Sequence, residues 1–453
     1  MSHALLLTGV LALAPGGASA AEPAVRFSIQ PAPVPLPALK YQLLPQLEEL
    51  VPGNAGHEYL RCFAEQRIFF FSKESLADRA HYLAAPLADL AKEKLHPYGR
   101  GALDRADWAA RMDTVNWQEL DRVRPDAGEA VSPELVPLRI LSEALHARLR
   151  IAVASRDFDV AIRTARTMCA LARHLGEYPS FEANQLGLLI AGRALQGLGE
   201  AVQEPGCPNL YWALTDLPVP LVELRKGFQG ERALSAADLR LIDDAPMTEV
   251  QIEDVVSRLS GRAALARELT GREPHNLRSA LKARAADAER VRTARARLVD
   301  ARAARSLIDQ LSPVQVILLD EKQEYTIRRD EAMRLLALPP WQADFLARTE
   351  RQGRGDGLFA DLVPRVREGR SQQVLLEQRI GLLRQVEALR DYSAGHDGRL
   401  PAKLSDVGLP PPLDAVTGRP FAYSVADGTA RLAGAPVGKE PRRGVVCEVS
   451  LLR

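Results

Sequence analysis

The sequence predicts a mainly α fold, a body of helical hairpins closed by a small α+β tail, on three observations. Ala, Leu and Arg dominate a chain that is 46% hydrophobic and 26% charged, and these are helix-forming residues. Apolar residues recur at helical spacing through nearly everything before residue 420. Only near the end does "FAYSVADGTARLAG", Phe421 to Gly434, alternate apolar and polar residues about an Asp-Gly pair, the strongest short-range hairpin signal.

The first element is a targeting segment. An apolar run from Ala4 to Ala14 precedes a Pro-Gly-Gly break and the triplet Ala18-Ser19-Ala20, the pattern of a secretory signal peptide cleaved before Ala21. The run is about half of the roughly 20 residues that span a bilayer. No second such run follows, and no cysteine after the signal offers itself to a lipid, so the expectation is a soluble, exported chain, periplasmic or extracellular. A net charge of +1 gives no global attraction to nucleic acid or anionic lipid. The four cysteines, Cys62, Cys169, Cys207 and Cys447, have neither C-x-x-C nor zinc spacing. Three disulfide pairings are open to them; Cys169 on a helical stripe and Cys447 on an alternating strand read as small buried hydrophobes.

Residues 21–53 contain "PAPVPLPALKYQLLP", an extended, polyproline-like spacer or strap over the body. The helical body is assigned to 54–370. From Glu58 to Val123 the pattern breaks at Pro86, Pro97 and Gly101, which predicts three short helices. Two further stripes, Leu141, Leu145, Leu149, Ala152 and Ala161, Ala165, Met168, Ala172, Leu175, flank the polar turn Arg156-Asp157, so their helices lie antiparallel. This pair, with Asp157-Phe158 and small Ala at packing positions, resembles a tetratricopeptide-type helix pair. No period near 34 residues recurs, so the likeness implies helical hairpins and not a counted array. Helix Phe181–Gln203 carries Gly187, Gly192, Gly197 and Gly199, each costing up to about 1 kcal/mol against Ala, which a close helix approach or a ligand channel would offset. Pro205 and Pro208 end it, and Asn209 is placed to cap a helix beginning at Tyr211-Trp212. Arg278 to Arg305 is Arg-rich without Gly or Pro and reads as one long helix, either a basic face for polyanions or a solvated helix with Arg stems over apolar surface.

Catalytic patterns are thin. There is no G-x-S-x-G, H-E-x-x-H, P-loop or G-x-G-x-x-G in the sequence. Ser279 and Lys282 form an S-x-x-K without companion elements. His57, His81, His96, His146, His174, His275 and His396 are scattered. A glycosidase needs two carboxylates and no linear motif; Glu65, Asp104, Asp107 and Asp113 near Trp108 and Trp117 are its candidates, against a plainer role at helix starts and in the core. No catalytic, cofactor or metal residue is assigned.

The tail is assigned to 371–453: a helix with Leu376, Ile380, Leu383, Val386 and Leu389 on one stripe, then turns, the hairpin, and "GVVCEVSLL" as a third alternating strand. Pairing across Asp427-Gly428 sets Val425 against Ala430 and Tyr423 against Leu432, giving a three-stranded antiparallel sheet that the stripe Leu376, Ile380, Leu383, Val386 covers. Tyr392, Gly398, Pro401, Leu404, Asp414, Gly418, Pro420, Phe421 and Tyr423 make the tail similar to that of the type II secretion major pseudopilins, with Ala415 where that pattern has Pro. The resemblance covers about eighty residues. It implies a calcium-binding acidic loop, for which Asp397, Asp406, Asp414 and Asp427 are the available donors; turn formation is the plainer role. The tail also looks like those of uncharacterised exported bacterial families. The expectation is an envelope-associated interaction or scaffold protein without catalytic motif, binding a protein or envelope component and no nucleic acid; the alternative is a helical-scaffold hydrolase of wall polysaccharide.

Overall fold

The computed structural model describes residues 25–93, 98–118, 134–268, 276–302, 305–349, 357–437 and 445–452. The segment read above as a signal peptide, His96, Pro97 and His275 lie outside them. The first described element is a strand, β1 (Val25–Ile29). Val25, Phe27 and Ile29 alternate with Arg26 and Ser28, and Ile29 is fully buried. The Pro-rich chain then runs extended as a strap, is anchored again by buried Leu43 and Leu44, and enters β2 (Val51–Asn54).

Where three short helices are expected, the described residues form five: α1 (Ala55–Glu65), α2 (Arg67–Phe71), α3 (Lys73–Ala84), α4 (Leu87–Leu90) and α5 (Asp104–Ala109). The added breaks fall at Gln66, which leaves helical geometry, and at Ser72, whose hydroxyl accepts from the Ser75 amide at 3.2 Å to start α3. The run Ile68 to Phe71 has no helical spacing, and the two breaks turn Phe70 inward onto Phe63, ring centroids 4.8 Å apart. A short β3 (Met112–Thr114) pairs parallel with β2.

The core of the body is three helices, α6 (Leu135–Ala154), α7 (Phe158–Gly176) and α8 (Phe181–Ala201). Asp157 caps α7 through the Val160 amide, and Ser180 caps α8 through Ala183, each at 3.2 Å. Two of the four α8 glycines are explained by contact: a Cβ at Gly187 would lie 2.8 Å from the Ala172 carbonyl, and one at Gly197 2.3 Å from Leu149. Gly199 lies in ordinary contact with Phe27, and Gly192 is in the open. Asn209 sits one residue short of the expected cap: Leu210 holds the cap position of α9 (Tyr211–Thr215) without a side-chain bond, and Asn209 accepts from the Tyr211 amide at 2.9 Å. Next, α10 (Arg225–Arg240) lays Gly227 and Gly230 directly on the turn between α7 and α8.

A second core joins α11 (Glu249–Glu268), α12 (Leu277–Ala286), α13 (Ala288–Arg302), α14 (Arg305–Asp309) and α15 (Pro313–Met333). The single Arg-rich helix expected over 278–305 is therefore broken. Asp287 leaves helical geometry (ψ 102°), and its carboxylate accepts from the Glu289 and Arg290 amides to restart the chain as α13. After α16 (Pro340–Thr349) comes the longest helix, α17 (Val366–Ala394).

The tail sheet adds β4 (Ala422–Ala426), β5 (Thr429–Ala433) and β6 (Val446–Leu451). Ala426 faces Thr429, Val425 faces Ala430 and Tyr423 faces Leu432, the register that a two-residue Asp-Gly loop dictates. The sheet has four strands rather than three, in the order β1-β6-β5-β4, because β1 joins β6 in parallel, Val25 opposite Cys447 and Ile29 opposite Leu451. The cover also differs from the expected stripe. Leu382, Val386 and Leu389 face the sheet, whereas Leu376, Ile380 and Leu383 belong to the body core. Two apolar faces on one helix make α17 a shared wall, and residue 371 is not a boundary between separate packing units.

Candidate functional site

The glycosidase candidates have separate surroundings. Asp107 takes both guanidinium nitrogens of Arg148, at 2.6 and 2.9 Å, and the Thr167 hydroxyl at 2.6 Å. Glu65 is bound by Arg105 and Arg61. Asp113 accepts from the Gly53 amide at 2.9 Å, and Asp104 is exposed in the first turn of α5. Trp117 donates its indole N–H to the His174 carbonyl at 2.9 Å and stacks beside Tyr59, while Trp108 lies at the surface under Arg111. Asp107, Glu65 and Asp113 are each engaged by neighbouring elements.

The basic helices spend their charge internally. Arg284 pairs with Glu321, Arg297 with Asp320 and Arg278 with Glu253, and Arg295 donates to the carbonyls of Ile308 and Leu311. Ser279 and Lys282 are exposed, with the Ser279 hydroxyl donating to the Asn276 carbonyl at 3.0 Å. His146 and His174 are enclosed, and burial holds both imidazoles down at about 4. His81 meets Glu93, His396 stacks on Tyr392, and His57 is exposed. All four cysteines are free and buried, and burial pushes each thiol up to about 12. Asp414 is buried and accepts from Gln378, from the Val416 amide and from the Ala435 amide, at 2.7 to 2.9 Å; it ties two loops to α17. Asp406 accepts from the Lys403 amide, and Asp397 and Asp427 sit in left-handed turns. Among the described residues no group of three or more His, Cys, Asp or Glu is placed to hold a metal ion.

The arrangement with the most unusual chemistry lies where α8 begins, and the sequence does not single it out. Gly230 lets α10 descend until a Cβ there would fall 1.9 Å from the Pro179 carbonyl. The next residue, Glu231, is thereby delivered to the N-terminus of α8, where it accepts from the Phe181 amide. Enclosure by its neighbours, although a little of its surface still reaches solvent, and the nearby Glu182 carboxylate raise Glu231 to about 8; Arg365 opposes that rise. Arg365 lies over the Phe181 ring, and Phe181 stacks on Phe228 at 4.6 Å. The result is a carboxyl group protonated near neutral pH beside an acid bonded by the Ser180 hydroxyl at 2.9 Å. Two carboxyls with contrasting environments are what acid–base chemistry uses, and helix capping uses the same pair. On α17, Glu377 is raised by burial to about 7 beside Arg370 and Glu223.

A shallow cleft between α15 and the segment 357–363, lined by Glu321, Glu324, Tyr325, Arg328 and Phe359, encloses no cavity of ligand size. No protein-family model, curated protein or solved structure matches the chain.

Proposed function

We propose that the chain is an exported, envelope-associated interaction or scaffold protein, with the α6–α7 pair serving as a tetratricopeptide-like hairpin and the tail as a pseudopilin-like module. The observation that carries an interaction role is an apolar surface on the N-terminal helices. Ile68 and Phe71, three apart on α2, and Leu76 on α3 are 81, 41 and 42% exposed. Large apolar side chains left exposed on consecutive short helices are what a partner surface would cover. Cleavage after Ala20 would leave β1 (Val25–Ile29) intact. Among the described residues no helix is long and apolar enough to cross a membrane.

The experiment is capture from envelope extract with the mature chain and with Phe71→Ser. A protein retained by the first and lost from the second, with both folded, is the expected result; equal capture by both contradicts this surface. A second reading, hydrolysis of wall polysaccharide, is favoured by the raised Glu231 beside Glu182. It predicts peptidoglycan turnover that Glu231→Gln abolishes, whereas the interaction reading predicts none.

A further inference from the structure

The two edges of the tail sheet end differently. Beyond β1 the edge is covered, since the Ser28 amide donates to Gln203 at 3.2 Å and Phe27 lies against Gly199 of α8. Beyond β4 it is open. Among the described residues no hydrogen bond reaches the outward backbone groups of Ala422–Ala426, and every residue but Tyr423 is exposed. Open edges are ordinarily blunted by charge, Pro or a bulge. This strand contains neither charge nor Pro, and it pairs with β5 through five consecutive residues without a shift.

Its sequence reads almost alike in both directions: Ala422, Tyr423, Ser424, Val425, Ala426. Antiparallel pairing of two copies about Ser424 sets Ala422 opposite Ala426, Tyr423 opposite Val425 and Ser424 opposite itself. Val425, 38% exposed in one copy, then gains an aromatic cross-strand neighbour, a favoured combination. No like charges are brought together along the strand.

We propose that β4 is a self-association edge, through which two copies join antiparallel at Ser424 into one continuous eight-stranded sheet. A foreign extended segment would meet the same backbone groups without the two-fold match of side chains, and a second copy is therefore the occupant. One strand from each partner falls short of the roughly 1,200–2,000 Å² of stable interfaces, so the dimer is weak and reversible.

Sedimentation of the mature chain up to about 100 μM reads the equilibrium directly. The expected results are a concentration-dependent dimer, its loss in Ser424→Lys with an unchanged thermal midpoint, and rapid disulfide-linked dimer in Ser424→Cys but not in Glu74→Cys, an exposed site on α3. The native thiols are buried and do not compete. A wild-type chain that stays monomeric throughout, a dimer that survives Ser424→Lys, or Ser424→Cys cross-linking no faster than Glu74→Cys overturns the proposal. The cross-link reads the pairing independently of how the lysine variant folds.

Discussion

Arg390 donates its Nε hydrogen to the carbonyl of Gln30 at 3.1 Å, across 360 positions of sequence. The same guanidinium reaches the Cys207 carbonyl at 2.7 Å and pairs with Glu387 at 2.8 Å, both side chains essentially without solvent exposure. Around it the Ala32 amide donates to the Arg390 carbonyl, Asn209 donates to the Ala32 and Glu387 carbonyls, and the Val34 amide donates to Asp391. One arginine thus gathers the strap, the α8–α9 connection and α17.

Arg390→Met is expected to destabilise the fold by about 3–5 kcal/mol, because it strands the buried Glu387 carboxylate and the Gln30, Cys207 and Pro208 carbonyls. The double variant Arg390→Met/Glu387→Leu should recover part of that loss. Denaturant midpoints of the three chains read the difference, and a single variant as stable as wild type contradicts the role of the junction.

Glycine contacts give a paired expectation. Gly230→Ala forces a methyl group onto the Pro179 carbonyl, a backbone atom that cannot swing aside, and should cost about 1–3 kcal/mol. Gly192→Ala meets nothing closer than the Arg379 guanidinium at 4.0 Å and should stabilise α8 by up to about 1 kcal/mol. Thermal melts of both variants test the opposite signs.

The pH dependence follows from linkage. Glu231, raised from 4.5 to about 8, binds its proton more tightly folded than unfolded, so its contribution is complete below pH 4.5 and is lost as pH rises toward 8. His146 and His174, lowered from 6.5 to about 4, act oppositely: stability falls as pH drops from 6.5 to 4. Stability should therefore peak between these limbs. Glu231→Gln should match wild type near pH 5 and exceed it by about 2–4 kcal/mol at pH 9; parallel curves for the two chains contradict the placement of Glu231.

Tyr423 is half-buried, with its hydroxyl donating to the Pro401 carbonyl at 2.8 Å, while Ser424 is exposed. Tyr423→Asp should strip hydrogen-exchange protection from β4 and β5, and Ser424→Asp should leave it in place. The loss should stop short of the N-terminal half of α17, whose Leu376 and Ile380 are held by the body core. Equal protection in wild type and Tyr423→Asp would mean that this face packs on nothing.

The hairpin register was legible because an Asp-Gly loop fixes it locally, and the cap at Asp157 because a short side chain reaches only its own next turn. The glycines of α8 announced close packing at Gly187 and Gly197. What escaped depends on distant chain. The alternation of Val25, Phe27 and Ile29 is a strand pattern, yet it borders a Pro-rich run, and nothing local marks Cys447 to Leu451 as its partner. The breaks at Gln66 and Asp287 carry neither Gly nor Pro. Glu231 acquires its environment only when Gly227 and Gly230 bring α10 onto the α7–α8 turn, which no spacing in the sequence encodes.

The central claim is that the two ends of the described chain form one sheet, which unfolds as a unit with the sheet-facing residues of α17. Native-state hydrogen exchange of the mature chain and of Ile29→Asp, which puts a charge at a fully buried site, measures this most directly. The account predicts that β5, β6 and the sheet-facing half of α17 lose protection together in the variant, with Val25→Asp at an exposed position changing little. Undiminished protection of β6 in Ile29→Asp would contradict it.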